Sequence, residues 1–165
     1  MGSGGSQKIF VTVKAFSKRG QLLKRTDLQT LAESRDLDEL VTRIKNTKYL
    51  DAFNGVSKPY TAEKLEIALK ANLAETQFNL AKSSGNSKIL DAFFQKFIIS
   101  NLKLILKGKI LGKSQDEISA YFNMHAEELT KQRDMIVKAL VAKDLEEAVS
   151  SLGSSPFSTE IQKAV

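Results

Sequence analysis

Three observations predict an all-α fold. Apolar residues recur at steps of three and four along most of the chain, Thr, Asp and Ser stand three places ahead of a Glu or Gln as helix N-caps do, and Gly, Asn and Pro fall between the apolar stretches. The elements follow in order. Leu22, Leu23, Leu28, Leu31, Leu37, Leu40, Val41 and Ile44 keep the helical period, and the pairs Thr26 with Gln29 and Asp36 with Glu39 predict two short helices with a break near Ser34. Asn46, Asn54, Gly55 and Pro59 mark an irregular stretch. Thr61 caps a long helix with Leu65, Ala68, Leu69, Leu73, Phe78 and Leu80 on its apolar face, ending at Ser83-Ser84-Gly85-Asn86. A second long helix starts near Ser87; Leu90, Phe93, Phe94, Phe97, Ile98, Asn101, Leu102, Leu104, Ile105 and Leu106 leave it apolar on more than one face, as a helix central in a bundle is. Gly112 stops it, and Ser114 with Glu117 forms a capping box ahead of Ile118, Tyr121 and Phe122. Leu129, Met135, Ile136, Ala139 and Leu140 mark the next helix and Asp144 to Leu152 another, ended by Gly153 and Pro156.

The start has two readings. Met1-Gly2-Ser3-Gly4-Gly5-Ser6 has neither a basic nor an apolar region and reads as a leader ahead of a natural sequence beginning near Gln7. Ile9-Phe10-Val11-Thr12-Val13 is β-branched and has strand propensity, although a single strand finds no pairing partner elsewhere in the chain.

Composition narrows the chemistry. The 165 residues hold no Cys, one His and no Trp, which excludes a disulfide framework, thiolate zinc or iron–sulfur ligation, a Cys nucleophile and any site built on several histidines. No apolar run approaches the roughly 18 to 20 residues that span a bilayer. Lys and Arg number 25 against 19 Asp and Glu, a net +6 that favours an anionic partner such as nucleic acid, lipid headgroups or an acidic protein face.

One segment occurs twice. Asp36-Leu37-Asp38-Glu39-Leu40-Val41-Thr42 returns as Asp144-Leu145-Glu146-Glu147-Ala148-Val149-Ser150, and the register holds from Arg35 against Lys143 to Ile44 against Leu152, Thr47 against Ser155 and Tyr49 against Phe157. Residues 18–50 and 126–158 are thus expected to be copies of one helical unit made by duplication.

The candidate chemical motifs are weak. Gly108-Lys109-Ile110-Leu111-Gly112-Lys113-Ser114 has three residues between its glycines where a phosphate-binding loop needs four, and it follows a helix rather than a strand. His125, beside Glu127 and Glu128, reads as a surface or boundary histidine, and no Ser sits in a Gly-x-Ser-x-Gly elbow. No catalytic, cofactor or metal residue is assigned. The basic clusters Lys18, Arg19, Lys24, Arg25, Lys103 and Lys107 are the candidate partner contacts, read as solvated or protein-facing because the Phe residues belong to the apolar pattern and not among exposed cations.

The chain also resembles a known family, the C subunit of archaeal and bacterial A-type and V-type ATP synthases, related to the d subunit of the vacuolar proton pump. The resemblance rests on Asp36-Leu37-Asp38-Glu39-Leu40 through Thr47-Lys48-Tyr49, on Phe97-Ile98-Ile99-Ser100-Asn101-Leu102-Lys103 through Lys109, and on Asp144-Leu145-Glu146-Glu147-Ala148 through Pro156-Phe157. It covers nearly all of residues 7–165. The resemblance implies an all-α funnel of similar units in pseudo-threefold arrangement, seated between the central rotor shaft and the membrane rotor ring on the cytoplasmic side of the membrane, peripheral to it. It further implies a non-catalytic role without cofactors, in which torque passes between shaft and ring during proton or sodium transport and ATP synthesis. The chain has about half the family's usual length and stops as a helix starts at Ser158, so a fragment is expected, with self-association through uncovered apolar surface as a consequence. The family's first segment implies helix from Ile9 to Leu23, against the strand propensity there. The rival function is a small basic helical module that binds nucleic acid; an enzyme ranks last.

Overall fold

The computed structural model describes residues 3–85 and 87–164, with side chains from residue 5 onward. Among these residues every regular element is helical. The chain divides into two compact units, Met1–Asp91 and Ala92–Val165.

The first unit contains α1 (Ser3–Gly20), α2 (Arg25–Ala32), α3 (Leu37–Lys45), a 3₁₀ turn (Leu50–Phe53) and α4 (Ala62–Ser83). Helix α1 settles the start in favour of helix. A strand at Ile9–Val13 would need a neighbour to satisfy its backbone, whereas a helix satisfies its own, and Lys14 Nζ fastens α1 to α4 by donating to Ser83 Oγ at 2.7 Å and to the Asn79 carbonyl at 3.3 Å. The helix runs through Ser3 to Ser6, the stretch that reads as a leader in the sequence. Helix α2 begins one residue before the expected cap. Thr26 lies inside it, and the free Lys24 N–H is met by the Asp27 carboxylate at 2.8 Å, so the acidic residue at the third position does the capping. Asp36 caps α3 and Thr61 caps α4 as their spacing predicts. The core is formed by Val41, Ile44, Phe53 and Leu65, with Leu31, Leu37, Tyr49 and Tyr60 packed around it.

Helix α4 departs from its expected stripe. Leu69 and Leu73 are exposed, while Leu65, Ala74 and Ala81 are buried. At about 100° per residue, Ala74 and Ala81 point away from the side on which Leu65 lies, so burial changes sides along the helix and no single face is continuous.

The second unit contains most of α5 (Lys88–Ile110), whose first turn crosses the boundary, then α6 (Gln115–Ser119), α7 (His125–Thr130), α8 (Arg133–Val141), α9 (Leu145–Ser151) and α10 (Ser158–Ala164). Phe94, Ile98, Leu102 and Ile105 form one buried stripe of α5 at helical spacing, and Ile98, Leu102 and Ile105 meet Ile118, Ile136, Leu140, Leu152 and Ile161 in the core. This puts α5 at the centre of its unit, but not on all faces. Phe93, expected in the apolar pattern, is exposed, and the Lys96 ammonium lies 6.0 Å from its ring centroid. Tyr121 and Phe122 fall beyond the short α6, with Phe122 packed against the core from the connecting turn.

Candidate functional site

The two glycines of the phosphate-loop lookalike have structural tasks. Gly108 is buried within α5, where a Cβ would lie 2.5 Å from Ile118 Cγ1, so its missing side chain lets α6 approach. Gly112 takes φ +65°, Lys113 N–H donates to the Gly108 carbonyl at 2.9 Å and Gly112 N–H to the Lys109 carbonyl at 3.1 Å, the paired bonds of a Schellman stop. Lys109 Nζ donates to the Ala142 carbonyl, so this lysine ties α5 to the end of α8.

His125 is half-buried as the first residue of α7, and its backbone N–H donates to Asn123 Oδ1 at 3.1 Å. Among the described residues no group of three or more His, Asp and Glu converges as a metal site would require. His125 thus sits at a helix boundary, whereas Glu127, two residues on, is fully buried. Asn101 Nδ2 donates to Glu127 Oε1 at 2.8 Å and to the Asn123 carbonyl at 2.9 Å, while Glu127 Oε2 has no partner among the described residues. Burial pushes the Glu127 carboxyl above the usual carboxylate range, and the Asn101 hydrogen bond opposes that rise. The available sequence signal is Asn101 itself, a polar residue inside the apolar run of α5 that needs a partner on another element.

The candidate contact residues are all exposed. Lys18 and Arg19 lie in the last turn of α1, Lys24 precedes α2 and Arg25 opens it, so these four flank the turn that joins the two helices. Lys103 and Lys107 lie one turn apart on the exposed face of α5, in the second unit. A shallow cleft elsewhere in the first unit is lined by Asp36, Leu37, Asp38, Lys58, Pro59 and Tyr60, and the 2.9 Å Lys58–Asp38 ion pair occupies its polar side.

The two similar segments fold alike in detail. Asp36 and Asp144 hold extended backbone at φ −151° and −144°, and their Oδ1 atoms accept from Glu39 N–H at 2.8 Å and Glu147 N–H at 2.9 Å. Glu39 and Glu147 return the bond one residue ahead of the cap, accepting from Arg35 N–H at 3.1 Å and Lys143 N–H at 2.8 Å. The exits match as well: Thr47 Oγ1 accepts from Tyr49 N–H at 3.1 Å and Ser155 Oγ from Phe157 N–H at 3.2 Å. Buried Phe53 and Ile161 hold equivalent register positions, and α2 and α8 both begin at the corresponding arginines, Arg25 and Arg133. The first copy adds a charge network, with Glu39 taking Arg35 Nε at 3.0 Å and Arg43 Nη2 at 2.7 Å; the Arg35 backbone and side-chain bonds, with that of Arg43, hold the Glu39 carboxyl down at about 2. Replacing Asp36 or Asp144 with alanine frees the Glu39 or Glu147 N–H, and each variant is expected to lose about 1 kcal/mol in urea unfolding. A substitution to asparagine, which keeps the acceptor, is expected to leave the midpoint nearly unchanged.

The sequence has relatives among archaeal ATP synthases. The C subunit of the A-type ATP synthase of Methanothermobacter thermautotrophicus is 30% identical over 146 residues, covering 84% of this chain and 37% of that protein. Its counterpart in Methanocaldococcus jannaschii is 26% identical over 162 residues, with 93% and 39% covered, and that of Archaeoglobus fulgidus is 30% identical over 158 residues, with 93% and 44% covered. The chain therefore spans about two fifths of the length of these relatives, less than the half expected. No solved structure matches the chain. The family profile described as ATP synthase (C/AC39) subunit matches residues 11–165, and the chain belongs to that family.

Proposed function

We propose that this chain supplies part of a non-catalytic central-stalk subunit of a rotary A/V-type ATP synthase, coupling the rotor shaft to the membrane rotor ring during proton or sodium transport and ATP synthesis. The family match over residues 11–165 carries the reading. The matched capping and exit geometry at Asp36 to Tyr49 and Asp144 to Phe157 supports the duplication of 18–50 in 126–158, and with it a modular helical body in which like units repeat around a funnel. Such a body works by shape and surface contact. Its place is peripheral, on the cytoplasmic side of the membrane, and consistent with this no described helix is long and apolar enough to cross a bilayer.

The docking surfaces proposed for the shaft and ring are the basic turn Lys18, Arg19, Lys24 and Arg25 and the α5 face of Lys103 and Lys107, which suit acidic partner faces. Reversing the four turn charges to glutamate is expected to weaken binding to purified shaft subunits by at least about tenfold at low salt, mostly through slower association. Unchanged binding of the turn variant would remove this surface from the proposal.

A further inference from the structure

Helix α7 is a short element beside the core of its unit. It holds six residues between two breaks in the chain: Met124 begins it with no side-chain cap, and Lys131 ends it in left-handed backbone at φ 60°. Its buried residues are Ala126 and Glu127, and neither belongs to the apolar cluster that joins α5, α6, α8 and α10. Asn101 ties it to α5, donating from Nδ2 to Glu127 Oε1 at 2.8 Å and to the Asn123 carbonyl, just ahead of α7, at 2.9 Å. Glu127 Oε2 has no partner among the described residues. A carboxyl buried in this way is tolerated as the neutral acid and costs far more as the anion. No surrounding charge offsets an anion there. From α5 it is faced by the neutral Asn101, and on its own helix Glu128 adds a like charge, with His125 the other titratable group. Of the charged residues of α8, Arg133 pairs with Glu128 at 3.5 Å, and Asp134 and Lys138 are exposed.

We propose that α7 is a pH-sensitive latch, closed on α5 while Glu127 carries its proton and released from α5, with the rest of the unit still folded, once Glu127 ionises. An ionised carboxyl must reach water. Swinging this short helix about its two flanking breaks brings it there and leaves the apolar cluster intact, so it costs less than unfolding the unit. The sign follows from burial. The closed form holds the carboxyl above its ordinary value of 4.5, whereas the released helix returns it to that value. Closure is therefore fully favoured below 4.5 and weakens as pH rises from there through the value of the closed form.

Amide hydrogen exchange of the whole chain, corrected for the intrinsic pH dependence of exchange, tests this from about pH 4.5 to 8 in low concentrations of urea. The reporters are the Glu128 and Gln132 N–H groups, which donate to the Met124 and Glu127 carbonyls, both at 2.8 Å. The N–H groups of Ile98, Leu102 and Ile105, in the buried stripe of α5, are the reference. Opening of α7 is expected to be at least about tenfold more populated than opening of the reference and nearly independent of urea, because little surface is exposed. It is also expected to grow by up to about tenfold per pH unit above 4.5, and Glu127→Gln to flatten that rise. Circular dichroism checks that the variant folds, and the urea and pH responses of the unsubstituted chain test the proposal without it. Reporters that match the reference in both population and urea dependence would overturn the latch, since α7 would then open only with its unit. So would a pH response that survives Glu127→Gln, or one that His125→Gln removes in its place.

Discussion

Phe53→Ala is expected to cost the first unit about 3–5 kcal/mol. The ring is completely buried at the end of the 3₁₀ turn, against Val41 and Ile44 of α3 and Leu65 of α4. It is the only aromatic among these fully or nearly fully buried side chains, so its removal leaves a large void that they cannot fill without moving both helices. Phe53→Leu keeps most of the volume and is expected to lose only about 1–1.5 kcal/mol. Urea unfolding followed by circular dichroism measures both. A loss below about 1 kcal/mol for the alanine variant would mean that the core lies elsewhere.

Asn101→Leu is expected to cost about 3 kcal/mol, because it removes a side-chain donor from the buried Glu127 carboxyl group and also strips the Asn123 carbonyl. Changing both partners, Asn101→Leu with Glu127→Leu, is expected to recover most of that loss, since an apolar pair of similar volume leaves no buried polar group unpaired. The acidity of Glu127 adds a pH signature. Its folded pKa is raised, so the native chain holds a proton that the unfolded chain has released, and stability falls as pH rises above the ordinary carboxylate value near 4.5. Glu127→Gln should abolish that fall. Glu39 and Glu117, both held at about 2, give the opposite sign: their contribution is present above 4.5 and is lost as pH drops from there towards 2. For Glu117 the leading cause is the hydrogen bond from the Lys113 ammonium at 2.8 Å. Unfolding free energies at several pH values separate the two effects, and a slope above pH 4.5 that survives Glu127→Gln would contradict the assignment.

What is legible in the sequence depends on whether the determining partner lies nearby along the chain. The caps at Asp36, Thr61, Ser114 and Asp144 are closed by a backbone N–H three residues away, so spacing alone locates them. The start of α2 lies two residues ahead of its expected place because Asp27 does from within the helix what a capping hydroxyl would do from outside. The β-branched run at Ile9–Val13 has strand propensity, but propensity is weaker than the lack of a pairing partner, and the family resemblance gives helix there. Which side of α4 is buried, that Phe93 is exposed and that Glu127 is interior all depend on elements far away in sequence. No periodicity reports those. The six basic contact candidates are exposed, as expected, yet exposure does not reveal what they touch.

The rotor reading is tested most directly by titrating the chain with purified central-shaft subunits of an A-type ATP synthase at physiological salt, with duplex DNA in parallel. Saturable binding to the shaft and none to DNA is the predicted result. Binding to DNA alone, with the steep salt dependence of phosphate contacts, or no binding to a shaft that a full-length C subunit binds under the same conditions, would contradict it.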